Sequence, residues 1–437
     1  MSAAKRQRVF EHIASMEEDI VAGLARLVEV PSIAGDHAAA ECAAELISEM
    51  CAAAGCETEL LSAGGAPAVL AHCEGPPNAP TLLFYGHYDV QPIDPLDAWE
   101  SPPFVPTVRN GALFGRGAGD NKGQFIAHIF ALRALLATTG CPVGVKLLIE
   151  GEEEVGSPTL PALVAAHREH LACDLAITAD GPYHAAGNPL VILGVRGLLY
   201  VDIAVSGAAR DLHSGAWGGV APAPARTLTR ALARLWQRDG HVAVPGFYDD
   251  VRAPSAAEID LAERLPPGSS DETVDWQALM FHPNLNIAGL SAGYAGAGMK
   301  TVIPHRATAK LDCRLVADQD PQHIFALLRD HFAGHGVSID LRAAVPPSRT
   351  PVDSPFVAPV RRALEETWGR ECYIQPSLGG TTPDFVFTRE LGLPSLLVPY
   401  APADMHHHAP NERMELAALL RGVRTSAALC LQIGART

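Results

Sequence analysis

Along the chain, stretches with apolar positions every three to four residues alternate with short runs that are apolar throughout. Helical spacing runs from about Lys5 to Leu27 and from His37 to Ala54, where Gly55 ends the second stretch. Ala68–His72, Leu82–Tyr85, Val145–Glu150 and Leu175–Ala179 have the length and composition of buried strands, and Gln124–Ala137 and Thr159–His170 return to helical spacing. Strands alternating with helices predict a mixed or parallel sheet covered on both faces. Sites in such sheets form outside the carboxyl ends of the strands.

At Gly194-Val195-Arg196-Gly197 the pattern changes. Leu198–Val205 alternates as a strand, Ala221–Gln237 reads as a helix and Thr301–Val316 as one long strand. Gln322–Phe332 is a further helix and Val337–Ala343 a closing strand. Between them, the Pro- and acid-rich piece from Val244 to Asp275 is an ordered excursion. From Pro346 the first pattern resumes, with a helix near Val357–Thr367, a strand at Ser395–Val398 and a last helix from Met414. The expected architecture is a mixed-sheet α/β/α domain in two parts, residues 1–196 and 346–437, interrupted by a smaller α+β domain over 197–345. At 437 residues the chain is too long for a single core, in agreement with that division.

The net charge of −16 comes without any Lys/Arg run, which argues against nucleic acid or an anionic membrane as partner. No segment reads as a membrane span. Nine cysteines lie scattered without CxxC spacing, and the start of the chain lacks a leader's apolar core. Reduced thiols and a cytoplasmic location are expected.

Five motifs change the picture. Gly86-His87-Tyr88-Asp89-Val90 closes an apolar strand, and His87 with Asp89 two residues on suits a metal ligand with the partner that fixes its tautomer. Gly115–Gly123 is a Gly-rich loop before a helix; it fails both the phosphate-loop and the dinucleotide spacing, and its glycines aim Asp120 at the strand ends. Glu150-Gly151-Glu152-Glu153-Glu154 follows a buried strand directly, so its crowded charges need a cation; one of Glu153 and Glu154 is placed to bind it and the other to act as general base. Asp180 follows another strand, in a turn before Pro182. His406-His407-His408 precedes Ala409-Pro410-Asn411-Glu412, and three consecutive histidines cannot all face one ion. Two divalent ions bring four positive charges, which Asp120, Glu154, Asp180 and a bridging hydroxide balance. Each ion then has one histidine, His87 or His408, and oxygen donors suited to zinc, with manganese or cobalt as alternatives.

These motifs, in this order over nearly the whole chain, resemble those of the dinuclear-zinc exopeptidase and deacylase family. It includes cytosolic nonspecific dipeptidase, carnosinase, acetylornithine deacetylase, succinyl-diaminopimelate desuccinylase and glutamate carboxypeptidases. The resemblance implies an α/β catalytic domain carrying a lid domain. It implies that His87, Asp120 and Asp180 hold one ion and that Asp120, Glu154 and His408 hold the other, with Glu153 the base and Asp89 the partner of His87. The resemblance implies His408 among the three, because its spacing to Asn411-Glu412 fits the family's terminal motif. Arg210–Gly215 resembles a dipeptidase segment whose histidine, here His213, reaches the partner subunit's site and polarises the scissile carbonyl, which implies a homodimer through the lid. Lys300–Pro304, Cys313–Val316 and Ser377–Thr381 resemble substrate-binding segments, with Thr301, Arg314 and Thr381 as contacts; the planar fork of Arg314 suits a terminal carboxylate. Asn121 stands where many relatives have Asp, and Asp180 rather than Glu resembles the dipeptidases and desuccinylases more than carboxypeptidases of the glutamate type.

The activity expected is hydrolysis of dipeptides by a two-metal-activated water. An N-acyl-amino-acid deacylase or carboxypeptidase with the same centre is the nearest alternative, and a non-catalytic binding protein of this fold the most distant.

Overall fold

The computed structural model describes residues 3–266 and 274–435. Its larger sheet has eight strands in the order Glu57–Leu61, Ala68–Cys73, Gly144–Glu150, Thr81–His87, Leu175–Thr178, Ser395–Leu397, Leu190–Ile192 and Tyr373–Gln375. Thr81–His87 lies parallel to both Gly144–Glu150 and Leu175–Thr178, and Ser395–Leu397 lies parallel to Leu175–Thr178, so four carboxyl ends meet at one edge. In register, His87 sits opposite Glu150 and Tyr85 opposite Thr178.

Alternation in a strand puts successive side chains on opposite faces. Leu82 and Phe84 accordingly join the main core beneath the Lys122–Thr138 and Leu416–Gly434 helices, while Leu83 and Tyr85 join a second cluster with Leu163, Val386 and Phe387. The Lys122–Thr138 helix is buried nearly all round, as a helix sandwiched between sheet and helices must be. Leu416–Gly434 is long and apolar enough to cross a membrane, contrary to the sequence expectation that no segment reaches that length; it is mostly buried and packs on the Lys122–Thr138 and Val357–Trp368 helices.

The smaller sheet is antiparallel, ordered Asn284–Ala292, Arg306–Leu315, Gly197–Ser206, Ser338–Val345. One face packs Leu199, Val201 and Ile203 against Leu228, Ile324 and Leu328 of the Pro224–Leu232 and Pro321–Phe332 helices. The chain crosses between the sheets twice, next to Gly197 and Pro347. A side chain at Gly197 would collide with the second crossing, 2.7 Å from Val345 O, so the two crossings pack closely.

Several elements are shorter than their periodicity suggested. The first helix is two, Ala3–Ser15 and Glu17–Glu29, broken at Met16. Thr159–His170 contracts to Leu160–Ala166, and Ala221–Gln237 to Pro224–Leu232, which starts at its proline. The strand from Thr301 breaks at Pro304 into Val302–Ile303 and Arg306–Leu315. Of the excursion from Val244 to Asp275, residues 267–273 lie outside the described residues. Val244 and Phe247 belong to the smaller domain's core, and Ser255 with Glu258 forms a capping box on the Ala256–Glu263 helix. Ala262 and Leu265 then pack with Met280, Phe281 and Tyr373 at the edge of the larger sheet.

Candidate metal centre

His87 ends its strand fully buried, and its Nε2 has no hydrogen-bond partner among the described residues. A buried ring nitrogen without a partner is costly unless something outside the protein atoms satisfies it. It points into a ring of carboxylates: Asp120 Oδ1 at 3.2 Å, Asp180 Oδ2 at 3.9 Å and Glu153 Oε2 at 4.0 Å. Its Nδ1 lies 3.2 Å from the Asp89 carbonyl oxygen and 3.4 Å from Asp89 Oδ1. The Asp89 carboxylate has a second task, accepting the Glu153 and Glu154 N–H groups at 3.1 and 2.9 Å. One side chain therefore ties the end of one strand to the acidic turn after its neighbour.

Asp120 shows its two oxygens to two different sets of donors. Oδ1 faces His87, while Oδ2 lies 2.5 Å from His407 Nε2 and 3.1 Å from His408 Nε2. His408 Nε2 is also 3.2 Å from Glu154 Oε2, which accepts from Gln91 Nε2 at 2.8 Å. Donor atoms of His87, Asp120 and Asp180 fall within 4.8 Å of one another, as do those of Asp120, His407 and His408; Glu154 falls in neither group and meets the second through His408. The orphaned nitrogen, the carboxylate shared between two groups and the all-N/O donor set fit divalent ions.

The Asp120 loop is held from outside. Gly117 has φ +84°, a conformation costly for any side chain, and the loop folds around the buried carboxylate of Glu412. Glu412 accepts from the N–H groups of Gly117, Gly119 and Asp120, each at 2.9 Å, and pairs with Arg116 Nη1 at 2.8 Å. Asn121 donates from Nδ2 to the Ala179 carbonyl at 2.7 Å and to Asp180 Oδ1 at 3.1 Å, while its Oδ1 accepts the His87 N–H at 3.3 Å. A carboxylate in its place would supply no such donor, so Asn121 links two strand ends through a neutral amide.

Burial and then the neighbouring Asp120 push Asp180 up to about 6. Burial pushes Glu153 well above the carboxylate range, with Asp180, Asp120 and Glu154 adding to the rise against the pull of His87. For His87, burial opposes the charge, yet Asp120 and Asp89 outweigh it and hold the imidazole well above its ordinary value. Burial likewise works against ionised Asp120, and the three histidines overcome it and hold it well below its ordinary value. Burial and mutual repulsion raise Glu153 and Asp180, a surplus of negative charge that cations relieve.

The cluster opens into a cavity of about 300 Å³ whose apolar lining includes Ile192, Leu378, Leu397 and Pro399. Thr381 lines it and accepts from Arg314 Nη1 at 3.0 Å, so the smaller domain's arginine reaches the cavity rim. His213 and Thr301 are not brought to the cavity: His213 is exposed, its Nδ1 accepting from the Gly215 N–H at 3.0 Å and its Nε2 lying 3.5 Å from Thr301 Oγ1. The sequence reading missed two features. His407 joins His408 at Asp120, against the expectation that one of the three histidines serves, and Glu412 cradles the Asp120 loop. The proximity of Glu412 to the histidine run was the only sequence signal for its role.

Comparison with known proteins matches residues 83–432 to peptidase family M20/M25/M40. The human Beta-Ala-His dipeptidase is 30% identical over 396 residues, covering 84% of this chain and 77% of that protein. The Cys-Gly metallodipeptidase dug1 of Schizosaccharomyces pombe is 28% identical over 461 residues, covering 95% and 96%. Among solved structures, the M20 family metallo-carboxypeptidase Sso-CP2 of Sulfolobus solfataricus superposes with a TM-score of 0.89 at 32% identity, covering 95% of this chain and 99% of that one.

Proposed function

The chain belongs to peptidase family M20/M25/M40, and from that premise we propose that it hydrolyses dipeptides at a centre of two divalent ions. Asp120 carries the reading, because its two oxygens face separate donor sets. His87 and Asp180 complete one set, and Glu154 and His408 the other, while Asp89 orients His87. Zinc is the ion these donors suit best, with manganese or cobalt also compatible. Bound ions supply polarisation of the scissile carbonyl and acidification of the attacking water.

The remaining work falls to the protein's own groups. Glu153 stands in the cavity wall, its Oε2 4.0 Å from His87 Nε2; with cations relieving the crowding that raises it, its carboxylate takes the water's proton and returns it to the leaving amine. Arg314, with Thr381, binds the substrate's terminal carboxylate at the rim, and Thr301, which stands beside His213 on the lid, assists from the second subunit. A cavity of about 300 Å³ suits a substrate of two residues. His213 stabilises the oxyanion from a second subunit. The lid, residues 197–345, supports a homodimer: among the described residues Asn284–Ala292 is an edge strand with Leu290 62% exposed, and Met299 in the loop after it is 93% exposed. The catalytic parts are residues 1–196 and 346–437. Nine free thiols fit a cytoplasmic location.

The test is Glu153→Ala with a dipeptide panel. Turnover should fall by about 10²–10⁴-fold with metal content near wild type. Unaltered hydrolysis of Ala- or Gly-containing dipeptides by the variant would eliminate the mechanism. One structural neighbour is a carboxypeptidase, so the panel includes tripeptides and N-acetyl amino acids, and a preference for either overturns the dipeptide assignment.

A further inference from the structure

The run His406-His407-His408 turns two neighbouring imidazoles to the same side. In regular backbone, adjacent side chains diverge; here His406 and His408 take φ of +59° and +56°, in the left-handed region that non-glycine residues seldom occupy. The loop is pinned at Met405, which is fully buried, donates its N–H to the Pro402 carbonyl and accepts from the Arg413 N–H. His406 is turned outward, its Nδ1 lying 3.3 Å from the Pro410 carbonyl oxygen. His407 and His408 stand with ring centroids 3.9 Å apart, each with Nε2 at Asp120 Oδ2. Asn411 adds a third at +61°, and unusual backbone kept at three positions of one short loop points to a geometry that is used rather than tolerated. Packing does not account for it, because the His407 side chain is 47% exposed and faces the cavity.

We propose that His407 is a second imidazole donor to the ion held by Asp120 Oδ2, Glu154 and His408. The inference rests on the two-ion reading above and adds to it. The protein then gives this ion two nitrogen and two oxygen donors, whereas the ion at His87 receives one nitrogen, from His87, and two oxygens. The halves of the centre are unequal. The nitrogen-rich half favours zinc, cobalt or nickel over manganese and holds its ion more tightly.

The experiment titrates the metal-stripped full-length protein with Zn²⁺ by calorimetry and with Co²⁺ by visible absorption, comparing wild type, His407→Gln and His406→Gln. Wild type should take two ions per chain in two separable steps. His407→Gln should weaken one step by about tenfold or more and change the cobalt absorption of that step alone, while His406→Gln behaves as wild type. A His407→Gln variant that titrates and absorbs as wild type overturns the proposal. So does an equal loss in His406→Gln, which assigns the effect to the loop as a whole, or a lower melting temperature for metal-stripped His407→Gln, which assigns a structural role. Fewer than two ions in wild type refutes the two-ion reading and this inference with it. Two ions in wild type with an unchanged variant refutes this inference alone.

Discussion

His128 lies in the Lys122–Thr138 helix, outside the centre, stacked on Phe84 with ring centroids 4.3 Å apart. Its Nδ1 is 2.9 Å from Ser426 Oγ, and burial pushes its pKa down to about 3. The unfolded chain takes up a proton near pH 6.5 and the folded one does not, so between those values the unfolded state binds more protons. Stability is therefore intact above pH 6.5 and declines as pH falls toward 3, by roughly 2 kcal/mol at pH 5 from this residue. Urea unfolding at pH 7 and pH 5 checks it: His128→Asn should lose about that much less between the two pH values than wild type. At this scale the sequence made the acids legible because Asp89, Glu153, Glu154 and Asp180 follow strand ends, and Asp120 sits in a Gly-rich loop before a helix. It singled out Asn121 without its role and did not reveal those of Glu412 or His128, because each depends on which distant groups it meets; nothing in the residue type separates a buried amide that joins two strands from one on the surface. The second histidine was hidden for a different reason. Periodicity assumes ordinary dihedral angles, and two left-handed residues break that assumption.

Between elements, the decisive contact joins the loop before one helix to the turn before another. Glu412 precedes the Leu416–Gly434 helix and satisfies three N–H groups of the Asp120 loop, while its charge meets Arg116 in a site closed to water. Removing it leaves a buried guanidinium without its counter-charge, a loss of about 3–5 kcal/mol. Glu412→Ala should lower the melting temperature and reduce bound metal together, because Asp120 loses its support; melting curves with metal analysis on the same samples test this, and an unchanged metal content would refute the positioning role. The strands that carry the site were legible because fully apolar runs admit little else. Element ends were less so. Proline decided the breaks at Pro304 and Pro224, and both prolines stood within runs whose hydrophobic pattern continued through them. The Asn284–Ala292 strand was missed because, at a sheet edge, its burial does not alternate and its exposed face carries no periodic signal.

The whole molecule sets His213 and the metal cluster apart within one chain. His213 is exposed on the lid, with contacts to Gly215 and Thr301, whereas Arg314 of the same lid reaches Thr381 at the cavity rim. If the lid's edge strand pairs with its copy about a two-fold axis, each chain lends its histidine to the other's cavity. Two consequences separate this arrangement from a monomer that closes its own lid. Leu290→Lys places a charge on the exposed edge strand and should give a monomer by light scattering, with metal content unchanged and turnover lowered. Chains carrying Glu153→Ala and chains carrying His213→Ala should each be inactive alone. When the two are co-expressed, a mixed dimer regains one complete cavity, formed by the Glu153 of one chain and the His213 of the other. Random pairing then returns roughly a quarter of wild-type activity. A histidine working within its own chain restores none, because every chain in the mixture lacks one of the two groups.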